Sequence, residues 1–153
     1  PRVLGRVAGS FEPLPHRMQM VGEVDGIRFI DDSKATSLAA MRAGLAMAGG
    51  RVRLIAGGRI KETDLAGVKG VLAKHAEKIY LIGESAHMLA EAWKECIPVV
   101  ECGDLDRAIK SAWQDARKGD TVLLSPGCAS FDQFSGFEAR GMRFIEIVTA
   151  LKR

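Results

Sequence analysis

The sequence predicts an α/β fold, a doubly wound and mostly parallel sheet of about six strands with one antiparallel strand at an edge. Three observations carry that expectation. The apolar runs Arg51 to Ala56, Lys78 to Ile82, Ile97 to Glu101 and Thr121 to Leu124 have the length and continuity of strands covered on both faces. The segments between them carry apolar residues at helical spacing, and strands alternating with helices imply right-handed crossovers and parallel pairing. Near the start, Met18 to Val24 and Ile27 to Asp31 flank Asp25-Gly26, the two-residue turn of a hairpin, which supplies the antiparallel strand.

Residues 1–15 include Gly5, Gly9, Pro13 and Pro15 and show little periodicity, so they read as an interdomain linker or the end of a preceding domain. One domain is expected over 16–153. Its first helix follows the stripe Leu38, Met41 and Leu45, with Thr36 or Ser37 as the cap. Leu65, Val68 and Leu72 mark a second helix, and Ala86, Leu89, Ala90 and Trp93 a third. Leu105, Ala108, Ile109, Ala112, Trp113 and Ala116 share one face of a fourth, capped by Asp104. Phe144, Ile145, Val148 and Leu151 define the last, expected to begin after Arg140-Gly141.

A chain of 153 residues, 47% hydrophobic and 27% charged, has enough apolar material for a packed core. The net charge of +3 is spread along the chain rather than gathered into the basic stripe that nucleic acid requires. No apolar run approaches the ~20 residues that span a bilayer. Cys96, Cys102 and Cys128 are an odd number without zinc spacing, as expected of reduced thiols in a cytoplasmic protein. Neither nucleic acid nor membrane is an expected partner. There are no internal repeats.

In a sheet of this kind ligands sit beyond the carboxyl ends of the strands. Three loops there carry chemistry. Asp31-Asp32-Ser33-Lys34-Ala35-Thr36 is either a capped turn with a solvated Lys-Asp pair or an anion site. As an anion site, it would combine the charge of Lys34, the hydroxyl of Thr36 and the free N–H groups of a helix N-terminus. One aspartate would then be available to a ribose hydroxyl or a metal. Gly57-Gly58-Arg59-Ile60-Lys61-Glu62-Thr63-Asp64 follows a buried strand, and its paired glycines allow a sharp turn or a close approach to a ligand. Ile60 stands where a Walker motif needs glycine, and the three-glycine dinucleotide fingerprint is absent. Lys61 is nevertheless a second cation at the same sheet edge as Lys34. The third loop, Ser125 to Phe134, is long, irregular and rich in small residues, as functional loops often are. Cys128 has no histidine nearby in sequence to activate it and reads as a buried thiol. His75 and His87 lack metal spacing, and His16-Arg17 reads as a plain junction.

Taken in order, His16-Arg17, Asp32-Ser33-Lys34-Ala35-Thr36, Gly57-Gly58 with Lys61 and Asp64, Ser125-Pro126 through Ser130, and Asp132-Gln133-Phe134 with Phe137, Arg140-Gly141 and Phe144 resemble the C-terminal domain of the Mur ligases, in its D-glutamate-adding branch. The resemblance runs from about His16 to the end of the chain, and Asp32 to Thr36 is its most discriminating segment. It implies a Rossmann-like domain of a monomeric, three-domain, ATP-dependent ligase of peptidoglycan synthesis. That enzyme adds D-glutamate to UDP-N-acetylmuramoyl-L-alanine through an acyl phosphate. ATP and Mg2+ would be bound mainly by a central domain outside this chain, which alone is expected to be inactive. By similarity, Lys34, Thr36, Lys61, Ser130 and Phe137 line the D-glutamate pocket, while Arg17 and Asp32 contact ATP. The chain departs from the family at Ser37, where asparagine is usual, at Gly127, where alanine is common, and at Arg59-Ile60, where an acidic residue or glycine is usual. The last departure bears on how Lys61 is presented. The alternative on the residues alone is a stand-alone module binding a nucleotide or sugar phosphate.

Overall fold

The computed structural model describes residues 14–152, so most of the expected linker lies outside the described residues. The first strands among the described residues are β1 (Gln19–Val24) and β2 (Ile27–Asp31), antiparallel and joined at Asp25-Gly26. Both turn residues have positive φ, 51° and 79°, the conformation that a two-residue hairpin loop requires. Strand β2 pairs in parallel with β6 (Asp120–Leu124), β6 with β3 (Arg51–Gly57), and β3 with β4 (Ala76–Ile82). The sheet ends on β5 (Val99–Gly103), giving the order β1-β2-β6-β3-β4-β5. The six strands, mostly parallel with one antiparallel edge, are the fold read from the sequence. Strand β5 starts two residues later than its apolar run, because Ile97 turns into the core and Pro98 has no N–H to donate.

Among the described residues, five helices cover the sheet. Helix α1 (Leu38–Ala48) is capped by Ser37, whose hydroxyl accepts from the Ala40 N–H at 3.2 Å. A 3-10 turn, Ala66–Val68, leads into α2 (Lys69–His75), and α3 (Ala86–Trp93) follows β4. Asp104 caps α4 (Leu105–Asp115) by accepting from Arg107 N–H. The last helix, α5 (Phe137–Leu151), begins before Arg140-Gly141 rather than after it. A glycine inside a helix normally signals weakness, but here it makes space: a Cβ on Gly141 would overlap the His16 ring.

Adjacent strand residues feed opposite faces. Leu54, Ile79, Leu81 and Leu123 pack with Met41, Leu45, Leu72 and Trp93 on the side of α1, α2 and α3. Ile55, Tyr80, Val122 and Leu124 pack with Ile109, Phe144 and Val148 on the side of α4 and α5. The carboxyl ends of five parallel strands therefore converge on one edge.

Candidate functional site

At the end of β2 the chain places two carboxyl groups in succession, and strand periodicity sends them to opposite faces. Asp31, fully buried, has Oδ2 2.6 Å from His16 Nδ1, and its Oδ1 accepts the Ser33 N–H at 3.0 Å. His16 is itself buried, has φ 66°, accepts the Lys34 N–H at its carbonyl and meets the Phe137 ring edge-on at 6.3 Å. The junction that the sequence presents as plain is thus locked into the site. Asp32 accepts from the Met18 N–H at 3.1 Å and from the Ser125 hydroxyl at 2.6 Å. Gly44 of α1 leaves room for it, since a Cβ there would lie 2.5 Å from Asp32 Oδ2. Burial raises the Asp32 carboxyl above its usual range, against the opposing pull of the Ser125 and Met18 hydrogen bonds.

Arg140 is 1% exposed and ties three segments together. Its Nε donates to Ser33 Oγ at 2.9 Å, Nη2 to the Ser33 carbonyl at 2.7 Å and Nη1 to the Cys128 carbonyl at 3.1 Å. Ser33 Oγ in turn donates to the Phe137 carbonyl at 2.7 Å. Burial lowers the Arg140 pKa to about 10. Cys128 is buried beside it, and desolvation pushes its thiol up to about 12, which suits the buried-thiol reading and not a nucleophile.

At two loops where anion binding is one of two readings, much of the backbone is already engaged by protein. Gly57 and Gly58 have φ of 119° and 132°, but what comes close to them is protein: a Cβ would overlap the carbonyls of Ile82 and Ala129 respectively. The N–H groups of Gly57, Arg59 and Ile60 donate to Pro126 O, Ala129 O and Ser85 Oγ at 3.0, 2.9 and 3.0 Å. No row of free donors is left there for a phosphate. Three N–H groups at the start of α1 are taken too. Leu38 N–H donates to Glu62 Oε2 at 2.8 Å, Ala40 N–H to the Ser37 hydroxyl and Met41 N–H to the Ser37 carbonyl.

The seven residues picked from the sequence fall into two adjoining depressions rather than one. Thr36, Lys61, Ser130 and Phe137, with Ala129 and Phe131, line a pocket of about 190 Å³. Arg17, Asp32 and Lys34, over an apolar floor that includes Met18, Ala35, Ala40 and Ala43, line a cleft of about 540 Å³. Lys34 is placed by the cleft and not by the pocket, yet its Nζ lies 5.9 Å from the centroid of the Phe137 ring that walls the pocket. Arg17, Lys34 and Lys61 have no ion-pair partner among the described residues. No cluster of three metal-ligating side chains occurs among those residues either. The sequence does not display the contact of His16 with Asp31, the bond of Glu62 to Leu38 or the clamping role of Arg140. Only Arg140 left a signal, as a charged residue on the buried stripe Arg140, Gly141, Phe144 and Val148.

The family description "Mur ligase, glutamate ligase domain" matches residues 16–128. The chain is similar to the UDP-N-acetylmuramoylalanine–D-glutamate ligase of Zymomonas mobilis, with 43% identity over 150 residues, covering 97% of this chain and 34% of the relative. It is 41% identical to the same-named enzyme of Chlamydia felis over 139 residues, 91% of this chain and 33% of the relative. Among solved structures, a bifunctional folylpolyglutamate synthase/dihydrofolate synthase of Yersinia pestis, complexed with AMPPNP and Mn ion, shares the fold. Its TM-score is 0.60 at 24% identity, covering 91% of this chain and 32% of that one. The chain thus spans about a third of the length of the curated relatives it matches.

Proposed function

The chain belongs to the Mur ligase family through its glutamate ligase domain, and from that premise we propose that it is the amino-acid-binding third of an ATP-dependent ligase joining D-glutamate to UDP-N-acetylmuramoyl-L-alanine in peptidoglycan synthesis. The observation that carries the reading is the pairing of a small polar pocket with a larger cleft across the single loop Asp31 to Thr36. D-glutamate presents two carboxylates. The pocket offers the Lys61 ammonium, the hydroxyls of Thr36 and Ser130 and the flat face of Phe137, with Lys34 at its border. Its contribution to catalysis is orientation: the neutral amine is held in line with an activated carboxylate that the rest of the enzyme supplies.

The cleft suits a nucleotide in size and chemistry. Its apolar floor would take the base, the Asp32 carboxyl a ribose hydroxyl, and Arg17 and Lys34 the phosphates. With no metal-ligating cluster among the described residues, Mg2+ would be held elsewhere in the protein with those phosphates. The AMPPNP and Mn ion of the Yersinia structure support nucleotide and divalent metal at the level of the family fold. The reading takes 1–15 as a linker, 16–153 as the domain, and the enzyme as cytoplasmic and monomeric. No helix among the described residues is long and apolar enough to cross a membrane. A stand-alone phosphate-binding module has less support, because three backbone donors of the glycine loop, on Gly57, Arg59 and Ile60, already bond to protein.

Kinetics of the full-length enzyme test the division of labour. Thr36→Val and Ser130→Ala should each raise the KM for D-glutamate about tenfold, the loss of a hydrogen bond to a charged group, and leave the KM for ATP in place. Arg17→Ala should do the reverse. A D-glutamate KM that neither pocket substitution moves would sink the reading.

A further inference from the structure

We propose that Glu62 is a positioning residue for Lys61, holding the lysine at the small pocket by bridging its loop to the start of α1. The proposal rests on the reading of that pocket as the D-glutamate site. Lys61 is exposed and makes no hydrogen bond or ion pair among the described residues, so its placement depends on its backbone. That backbone is held on both sides. Upstream, Arg59 and Ala129 exchange two hydrogen bonds at 2.9 and 3.0 Å, Ile60 N–H donates to Ser85 Oγ, and the Ile60 side chain packs against the core. Downstream, Glu62 Oε2 accepts from the N–H of Leu38, the first residue of α1 and two residues beyond Thr36 of the same pocket.

Adjacent residues of an extended segment point to opposite sides, and these two do. Lys61 lines the pocket, while Glu62 lines a separate recess with Arg42 and Asp64. Seating the Glu62 carboxylate on α1 therefore fixes which way Lys61 faces. The helix dipole favours a carboxylate at that point. The same bond takes up the first N–H of the helix, that of Leu38, and puts a negative charge beside it, which favours the lysine and the hydroxyls as partners of the substrate carboxylates. Without Glu62, the loop would have to be ordered at the expense of binding, which weakens affinity and leaves the chemical step alone.

The experiment is a cycle in the full-length enzyme with Glu62→Ala, Glu62→Gln, Lys61→Ala and the double variant Lys61→Ala/Glu62→Ala. Glu62→Ala should raise the KM for D-glutamate about fivefold, the loss of a helix-capping bond, without changing kcat or the KM for ATP. Glu62→Gln should recover most of that, because its amide oxygen still accepts from Leu38 N–H. In the Lys61→Ala background, Glu62→Ala should add nothing. A Lys61→Ala effect without any Glu62→Ala effect, no recovery by glutamine, or full additivity would each overturn the proposal alone. A Lys61→Ala variant with an unchanged D-glutamate KM would overturn the assignment of Lys61 to the D-glutamate site, and the proposal with it.

Discussion

Strand β6 begins at Asp120 and runs into Ser125, and its two ends solve the same electrostatic problem in opposite ways. At the start, Asp120 is fully buried, and its oxygens lie 2.7 Å from Arg51 Nε and 2.9 Å from Arg53 Nε. It also accepts the Arg117 N–H at 2.9 Å. Burial pulls the Asp120 carboxyl upward, but those three donors outweigh it and hold it below its usual range. Lys78 and Tyr80 share Asp115 nearby, at 2.9 and 2.7 Å, so these groups too are paired within the protein. At the finish, Asp32 receives only the neutral donors Ser125 and Met18 and is raised. The cations around it, Arg17 and Lys34, and Lys61 beyond them, have no ion-pair partner among the described residues. One end spends its charge on the fold. The other keeps charge in reserve, which is where a ligand with carboxylates and phosphates belongs.

The largest effect that can test the contrast is on the fold end. Asp120→Ala takes the carboxylate from the mostly buried Arg53, the half-exposed Arg51 and a backbone N–H, and should cost about 3 kcal/mol of stability in urea unfolding. At a temperature where the variant is folded, its KM values for D-glutamate and ATP should match the parent. A stability loss accompanied by a changed KM would mean that the two ends are not separable.

A smaller effect is expected where the fold makes room for the ligand end. Gly44→Ala places a methyl 2.5 Å from Asp32 Oδ2 and 2.9 Å from Ser125 Oγ. Overpacking costs about 1–3 kcal/mol, offset by about 1 kcal/mol of helix propensity. Because Gly44 and Asp32 both line the cleft, the KM for ATP should rise while that for D-glutamate stays put. Thermal unfolding and initial rates together decide this. A stabilised variant with parental kinetics would show that Gly44 is not a spacer for Asp32.

How much of this was legible depends on how far each signal reaches along the chain. The hairpin at Asp25-Gly26, the Asp104 cap and the alternation that sends Leu54 and Ile55 to opposite cores are local patterns, and the sequence displays them. The pairings that build the site are distant: His16 with Asp31, Leu38 with Glu62, and Arg140 with Ser33 across 107 positions. None has a periodicity to betray it. The glycine loop was legible as a place where something approaches the backbone, but not as to whether a ligand or another loop does so. The residues expected around D-glutamate and ATP sort into pocket and cleft except Lys34, whose long stem lets one loop position reach the border of both.

The finest test of the contrast is its dependence on pH, where the two carboxyls predict opposite signs. Asp120 is lowered below 3.8, so its stabilisation is present above that value and is lost as pH falls through its folded pKa. Asp32 is raised above 3.8, so the folded chain holds that proton more tightly than the unfolded one. Its contribution is full below 3.8 and fades as pH rises through the folded value. Asn at position 32 can still accept from Met18 N–H and can donate to Ser125 Oγ, but it does not titrate. Asp32→Asn should therefore gain stability relative to the parent between about pH 3 and pH 7, measured by urea unfolding at each. A relative loss over that range would mean that the pull of Arg17 on the Asp32 carboxylate outweighs the cost of its burial. The cleft would then hold its charge already paired, and the difference between the two ends of the sheet would disappear.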